Sequence, residues 1–305
     1  MSAVSTEKNW GWLYAVSAYT TWGILPLYWK LLEAVPPLEI LAHRIAWSFV
    51  FTVIVLLVIR GRTVFTVLAA AKRHLVPTLL CGVLISFNWY TYIWAVNSGF
   101  VIEASMGYYI CPLVVVLLGV VVLREQLTRW QILATGLAGI GVLLLALQYG
   151  RIPWVALVLA GTFATYGLAK KLIPVDSVTG LALETSSVTP AAVIFILTNE
   201  LQGTGAITTL SSATAVTLAG AGVVTAVPLL LFAQGARRVK LSTIGFFQYI
   251  APSITLTLGI FVFREPFSVI HLVSFGFIWV GLLVFTLANF GILKTLDAVQ
   301  AQPKF

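Results

Sequence analysis

The sequence predicts an all-α integral membrane protein of ten transmembrane helices arranged as two inverted five-helix repeats, and three observations carry that prediction. Only 9% of residues are charged and 60% are hydrophobic, against roughly 25% and 45–50% in ordinary soluble domains, so the solvent for most of the surface is lipid. Long apolar runs recur along the chain. Backbone polar groups in hydrocarbon need internal partners, so such runs mean helices and not the alternating strands of an outer-membrane barrel. Third, the chain repeats itself. EASMGYYICPLVVVLLGVVVLRE, from Glu103 to Glu125, returns 140 residues later as TIGFFQYIAPSITLTLGIFVFRE from Thr243 to Glu265. Tyr109, Ile110, Pro112, Gly119, Arg124 and Glu125 match Tyr249, Ile250, Pro252, Gly259, Arg264 and Glu265, and Gly136 and Gly141 fall on Gly276 and Gly281. Without a gap, 12 of the 48 positions from Val101 to Gln148 are identical. Apolar composition alone matches Val and Leu by chance, but not a Tyr, a Pro, an Arg-Glu pair and three glycines in one register.

Taken in order, spans are expected at about 10–29, 38–59, 75–96, 102–123, 130–149, 153–170, 178–199, 214–236, 241–263 and 270–292, each of roughly bilayer-crossing length. Glu7 and Lys8 precede an apolar run with no small-residue cleavage pattern after it, so that run is predicted as the first span and not a removed signal peptide. The segment from Arg60 to His74 is expected to form a short cytoplasmic surface helix, and the stretch from Glu200 to Ala213 is the longest outer connection. The repeats divide the chain at residues 1–150 and 151–305, with no separate soluble domain.

Lysine and arginine set the orientation. With the N-terminus inside, the inner loops collect Lys8, Arg60, Arg62, Lys72, Arg73, Arg124, Arg129, Lys170, Lys171, Arg237, Arg238, Lys240, Lys294 and Lys304, while the outer side receives Lys30, Arg151 and Arg264. Arg44 is left as the single Lys or Arg within a span. Both termini are thus expected in the cytoplasm. Five spans per repeat is odd, so the second copy enters the bilayer from the opposite side. The net charge of +8 reports topology here, and no nucleic-acid partner is expected. Cys81 and Cys111 both fall inside apolar segments, as buried small hydrophobes do.

An ionisable group in mid-span costs a few kcal/mol even on mild insertion scales, so each calls for a partner or a role. Arg44 lies in EILAHRIAW, and at the 140-residue offset sits Glu184 in GLALETSS. The two are expected either to face a central cavity, paired or bridged through water or solute, or to fix helix packing. His43 lies four residues after Glu39, about one helical turn, so the two can touch, in a titrating or a structural role. Glu33, Glu103 and Glu200 fall near the outer boundary and are expected to be solvated. Three His and two Cys in scattered places show no metal-ligand spacing, so no metal is predicted. In span 3, Asn88, Trp89 and Tyr92 place an amide among aromatic faces, suited to a flat, mostly apolar solute or to ordinary packing. In spans 4 and 9, Pro112 and Pro252 free carbonyls beside Tyr109 and Tyr249, with Gln248 adjacent. Pro26, Pro190 and Pro228 add further breaks, and Gln234 is a weaker candidate lining residue. No nucleotide loop, nucleophile elbow or catalytic carboxylate pair is present, so no enzyme, catalytic residue or cofactor is expected.

Long ordered runs carry a resemblance over nearly the whole chain: WGILPLYWK at Trp22, EILAHRIAWS at Glu39, NWYTYIWAVNSGFVIEASMGYYICPLV from Asn88, LREQL at Leu123 and GFFQYIAPS at Gly245. They resemble the RarD-type branch of the EamA family in the drug/metabolite transporter superfamily. The resemblance implies a ten-helix, two-repeat basket with a central cavity, a prokaryotic inner membrane and export of metabolites or drugs. The branch carries a chloramphenicol-sensitivity label, which is not a substrate assignment. The small four-helix multidrug relatives couple to protons through a glutamate in their first helix; here spans 1 and 6 hold no acidic residue, so that mechanism is not carried over. The expected function is therefore a secondary transporter, an exporter or facilitator of small organic solutes such as metabolites, amino acids or amphenicol-like drugs. Arg44 would attract an anionic or carbonyl group, Asn88 and Gln248 would orient it, and Trp22, Trp89, Tyr92, Tyr109 and Tyr249 would shape the cavity. A membrane-embedded enzyme and a non-transporting scaffold or sensor are the alternatives, and homodimerisation is open.

Overall fold

The computed structural model describes residues 10–98, 100–262, 269–289 and 292–293. Among them every regular element is helical. The long helices are α1 Gly11–Lys30, α2 Pro37–Arg60, α3 Leu75–Asn97, α4 Val101–Val121, α5 Arg129–Tyr149, α6 Trp154–Leu172, α7 Ser177–Leu201 and α8 Ser212–Arg238. They are followed by α9, Leu241–Gln248 continuing as Ile250–Phe261, and α10 Val269–Asn289. Short helices at Val64–Ala71 and Ala206–Thr209 fill the connections, the first within the segment expected to form a surface helix.

Eight stretches among the described residues are long and apolar enough to cross a membrane, one of them, Pro37–Ala95, holding both α2 and α3. The α1 helix is not among them, because its six Trp and Tyr residues lower its mean hydropathy. Val58, Phe65, Ile152 and Leu201 are each more than 75% exposed, a pattern that lipid tolerates and water does not. The chain is an all-α integral membrane protein.

Local chemistry sets the helix ends. Thr128 and Gln131 form a reciprocal capping box at the start of α5, whose last turn closes on Gly150 in the left-handed conformation, φ 76°. Asp176 accepts the Thr179 amide at 3.2 Å to start α7, and Ser211 accepts the Thr214 amide at 3.2 Å to start α8. Pro112 is accommodated within a continuous α4, whereas its repeat partner Pro252 follows a break in α9 at Tyr249.

Two carboxylates serve as caps supplied by other elements. Glu125, four residues past α4, accepts the Leu241 amide at 2.6 Å, the Ser242 amide at 2.9 Å and the Ser242 hydroxyl at 2.7 Å at the start of α9. The repeated Arg124-Glu125 therefore ties α4 to α9; its counterpart Arg264-Glu265 lies outside the described residues. Glu103 is buried, not solvated as expected: it accepts from Tyr149 Oη at 2.7 Å and from the Val155 amide at 2.9 Å, with Arg151 3.5 Å away. The α5–α6 connection folds back over it and supplies the polar partners that water would have supplied.

Helix pairing repeats itself across the two halves. The α1 helix packs on α8 and α9, as α6 packs on α3 and α4; α2 packs on α7 and α8, as α7 packs on α2 and α3; α4 packs on α9 and α5 on α10. At the α5–α10 crossing a β-carbon on Gly141 would stand 2.5 Å from the Ser274 carbonyl and 2.9 Å from Ile278. One on Gly281 would stand 2.8 Å from the Ala134 carbonyl and 3.3 Å from the Ala138 amide. These are the same contacts with every number shifted by 140. Small residues at such crossings let helix backbones approach, as membrane packing favours.

Candidate functional site

Arg44 ends the second turn of α2. Its guanidinium carbon lies 4.7 Å from the Trp29 ring and 4.7 Å from the Trp89 ring, and its Nε donates to Thr225 Oγ1 at 3.1 Å. Helices α1, α3 and α8 thus each hold one side of the cation, and two indole faces shield it from lipid through their quadrupoles. Tyr92 and Tyr108 continue the wall, their rings meeting edge to face at 5.8 Å. Tyr108 is 49% exposed, so protein covers only part of its ring on the Arg44 side.

Glu184 lies at the matching turn of α7 and is buried. Its Oε1 accepts from Lys170 Nζ at 2.6 Å and its Oε2 from the Tyr166 hydroxyl at 3.0 Å. Arg44 and Glu184 therefore do not pair, and the packing of α2 on α7 supplies the reason. Leu41, Ala42 and Ile45 of α2 cluster with Ala192, Val188 and Ile196 of α7, while Leu56 clusters with Ala182 and Val178, so the two helices run antiparallel. Arg44 is level with the region of Ala192, about two turns or ~12 Å along the axis from Glu184. Equivalent off-centre positions in antiparallel helices sit at opposite depths. Lys170, counted among the inner-loop cations in the sequence, lies buried in the last turn of α6.

Between the two charged layers the interior is narrow. A narrow space runs past Ile45, Ser48, Ile85 and Trp89 to Glu184, and a second runs from Glu184 to Thr78, Lys170 and Val175. Each admits little more than a water molecule. The space leads from the indole that covers Arg44 to the Lys170–Glu184 ion pair, which closes the opposite end.

The other predicted site residues divide between this region and helix packing. Trp89 and Tyr92 belong to it. Asn88 donates to the Leu159 carbonyl at 2.9 Å and to Thr162 Oγ1 at 2.7 Å, pinning α3 to α6. Trp22 packs in an aromatic cluster with Tyr19, Phe163 and Phe232. The Tyr249 hydroxyl donates to the Tyr109 carbonyl at 3.2 Å, and the Tyr109 ring stands edge-on to Phe275 at 5.1 Å, so the carbonyl expected to line a cavity is taken up between the halves. Gln248 is buried with its Oε1 unpartnered, and Gln234 accepts from Arg238. His43 faces Glu39 and Glu200, all three offering donor atoms within 4.8 Å of one another. The predicted absence of metal ligands rested on linear spacing; the α2–α7 contact brings together residues 157 to 161 positions apart.

Trp29, Tyr108, Thr225, Tyr166 and Lys170 were not anticipated in these roles. Trp29 stands within the WGILPLYWK run, and its place near the end of α1, as Arg44 stands near the start of α2, was the one available signal.

Comparison with known proteins agrees with this architecture. The model of the EamA-like transporter family matches residues 9–147, ending with α5. An uncharacterized transporter of Bacillus subtilis (strain 168), YojE, is 48% identical over 293 residues, covering 95% of this chain and 97% of that one. Protein RarD of Escherichia coli (strain K12) is 40% identical over 287 residues, covering 94% and 96%. A crystal structure at 19% identity superposes with a TM-score of 0.68 over 92% of this chain and 98% of that one, a likeness of fold. The chain is thus a multi-pass membrane transporter that belongs to the EamA family, in the RarD-type branch of the drug/metabolite transporter superfamily.

Proposed function

We propose that the chain is a secondary transporter that moves a small organic solute, as an exporter or facilitator, by alternating access between two inverted halves, residues 1–150 and 151–305. The matched helix pairings, the reciprocal crossing of Gly141 and Gly281 and the hydrogen bond between the equivalent Tyr109 and Tyr249 support inversion, since a two-fold axis between antiparallel equivalents lies in the membrane plane. The excess of Lys and Arg in alternate loops supports an inner-membrane protein with both termini in the cytoplasm.

The observation that carries the solute assignment is Arg44 held between two indoles beside the open Tyr108 ring. A permanently charged planar donor flanked by flat apolar faces suits a solute with a carboxylate or polarised carbonyl and a planar apolar part. In this reading the buried Lys170–Glu184 pair shuts one end and the half-exposed Tyr108 marks the other, the Arg44 side being the outer one under the proposed orientation.

Proteoliposomes test this. Flux should be seen for one or more amino acids, aromatic carboxylates or amphenicols. Amphenicols belong in the set because a relative 28% identical is named chloramphenicol-sensitive protein RarD, from Pseudomonas aeruginosa (strain ATCC 15692). Arg44→Ala should abolish flux with insertion unchanged, and unchanged flux in that variant would remove Arg44 from the site. Dependence of flux on an imposed pH gradient separates proton coupling from facilitation.

A further inference from the structure

A second cluster of chemistry-bearing groups lies where the start of α2 meets the end of α7. Glu39 and His43, one turn apart on one face of α2, are each about 1% exposed, while Glu200 is partly exposed near the end of α7. One carboxylate oxygen from each Glu and an imidazole nitrogen all lie within 4.8 Å of one another. Both His43 ring nitrogens are buried without a hydrogen-bond partner, an arrangement that proteins avoid unless the group meets something else. The carboxylates are already oriented. Glu39 Oε1 accepts the Ala206 amide at 2.6 Å; Glu200 accepts the Ile207 amide at 3.0 Å, the Thr208 amide at 3.2 Å and the Thr208 hydroxyl at 2.8 Å.

We propose that Glu39, His43 and Glu200 form a binding site for one divalent transition-metal cation of the zinc class. Two carboxylates and a neutral imidazole balance the charge of a divalent ion, and one nitrogen with two oxygens favours zinc-like ions over the all-oxygen preference of magnesium or calcium. Ligands about 2.1 Å from a tetrahedral ion stand ~3.4 Å apart, so the three atoms need close by no more than ~1.4 Å. The backbone amides behind the carboxylates hold them in place, as groups behind metal ligands do. Glu200 faces the aqueous boundary, so the ion enters from water and a fourth position stays open. Bound there, it clamps α2 to α7 one residue from Arg44. This site is independent of the solute proposed above.

The test is isothermal titration of the purified, EDTA-stripped full chain in detergent with ZnCl2, and MgCl2 in parallel, together with thermal unfolding. One zinc per chain and a raised apparent melting temperature are expected, with magnesium producing neither. His43→Gln should abolish binding, and Glu200→Gln should weaken it at least about tenfold, the effect that mutation of groups behind the ligands already reaches. Glu200 is partly exposed, and the Gln oxygen can still accept the Thr208 amide and hydroxyl while its NH2 group gives up the Ile207 amide, so this variant should stay folded in EDTA with a modest loss of stability and decides the matter through its zinc affinity if His43→Gln fails to fold. No saturable zinc binding, equal binding of magnesium, or unchanged affinity in Glu200→Gln would each overturn the proposal; the first would leave His43 partnered by a proton and a carboxylate alone.

Discussion

Removing Lys170 tests the buried ion pair that closes the interior. Lys170 and Glu184 meet at 2.6 Å with side chains 7% and 3% exposed, and the Tyr166 hydroxyl is the carboxylate's further partner. Lys170→Met keeps the length and packing of the stem while leaving Glu184 in the interior with one hydrogen bond. Breaking one partner of such a pair costs about 3–5 kcal/mol, whereas replacing both by apolar groups of similar volume is often neutral. Lys170→Met and Glu184→Gln should each lower stability, the first by roughly 3–5 kcal/mol, and Lys170→Met/Glu184→Gln should recover most of the loss. A double-mutant cycle read by thermal unfolding in detergent, with detergent and lipid held fixed, isolates the coupling. At about 2–4 °C per kcal/mol, Lys170→Met should lower the melting temperature by roughly 6–20 °C. A loss under about 2 °C, or a double variant less stable than either single one, would refute a closed pair and return Lys170 to the aqueous loop.

Three further outcomes follow from the fold. Gly141→Ala should destabilise by forcing α5 from α10, because its β-carbon meets the Ser274 carbonyl at 2.5 Å, while Gly136→Ala, with nothing within 4 Å, should gain about 0.5–1 kcal/mol from helix propensity; detergent melting of the pair checks this. Asp176, at the start of α7, is raised by desolvation but pulled further down by the Thr179 hydrogen bonds and Arg60, so its carboxyl lies below the ordinary range. The sign follows: its stabilisation is present above its unfolded value of about 3.9 and fades as pH falls through the lower folded one, while Asp176→Ala, which removes the cap, costs about 1 kcal/mol at pH 7. Cysteines at Arg151 and Lys72 should label from opposite faces of sealed vesicles, Arg151→Cys from outside; labelling of both from one face would overturn the proposed orientation.

The repeated pattern stands out in the sequence because rare residues keep register: a Tyr, a Pro, an Arg-Glu pair and glycines mark positions that Leu and Val cannot. Arg44 was legible for the same reason, a charge where lipid forbids one without cause. Their geometry was not. The offset pairs Arg44 with Glu184, but only the antiparallel packing of α2 on α7 shows that equivalent off-centre positions part in depth. Lys170 sits at a helix end, where its charge reads as a loop marker until Tyr166 and Glu184 are seen beneath it. Glu103 was misjudged because its partners arrive by a chain reversal at Tyr149–Val155 that hydropathy does not encode; Glu200 joins Glu39 and His43 by a contact between helices far apart in sequence. Tyr109 and Tyr249, a matched pair in the sequence, touch each other.

The central proposal, that two halves expose one interior to alternate faces, is tested most directly by cysteine accessibility. With Cys81 and Cys111 replaced by Ala, Tyr108→Cys and Thr78→Cys report the open Arg44 side and the closed Lys170–Glu184 side respectively. A membrane-impermeant thiol reagent should label position 108 from outside and leave position 78 unlabelled from inside, and a transported solute should reverse both together. Simultaneous labelling of the two positions from their own faces in every condition, or labelling of neither, would contradict alternating access.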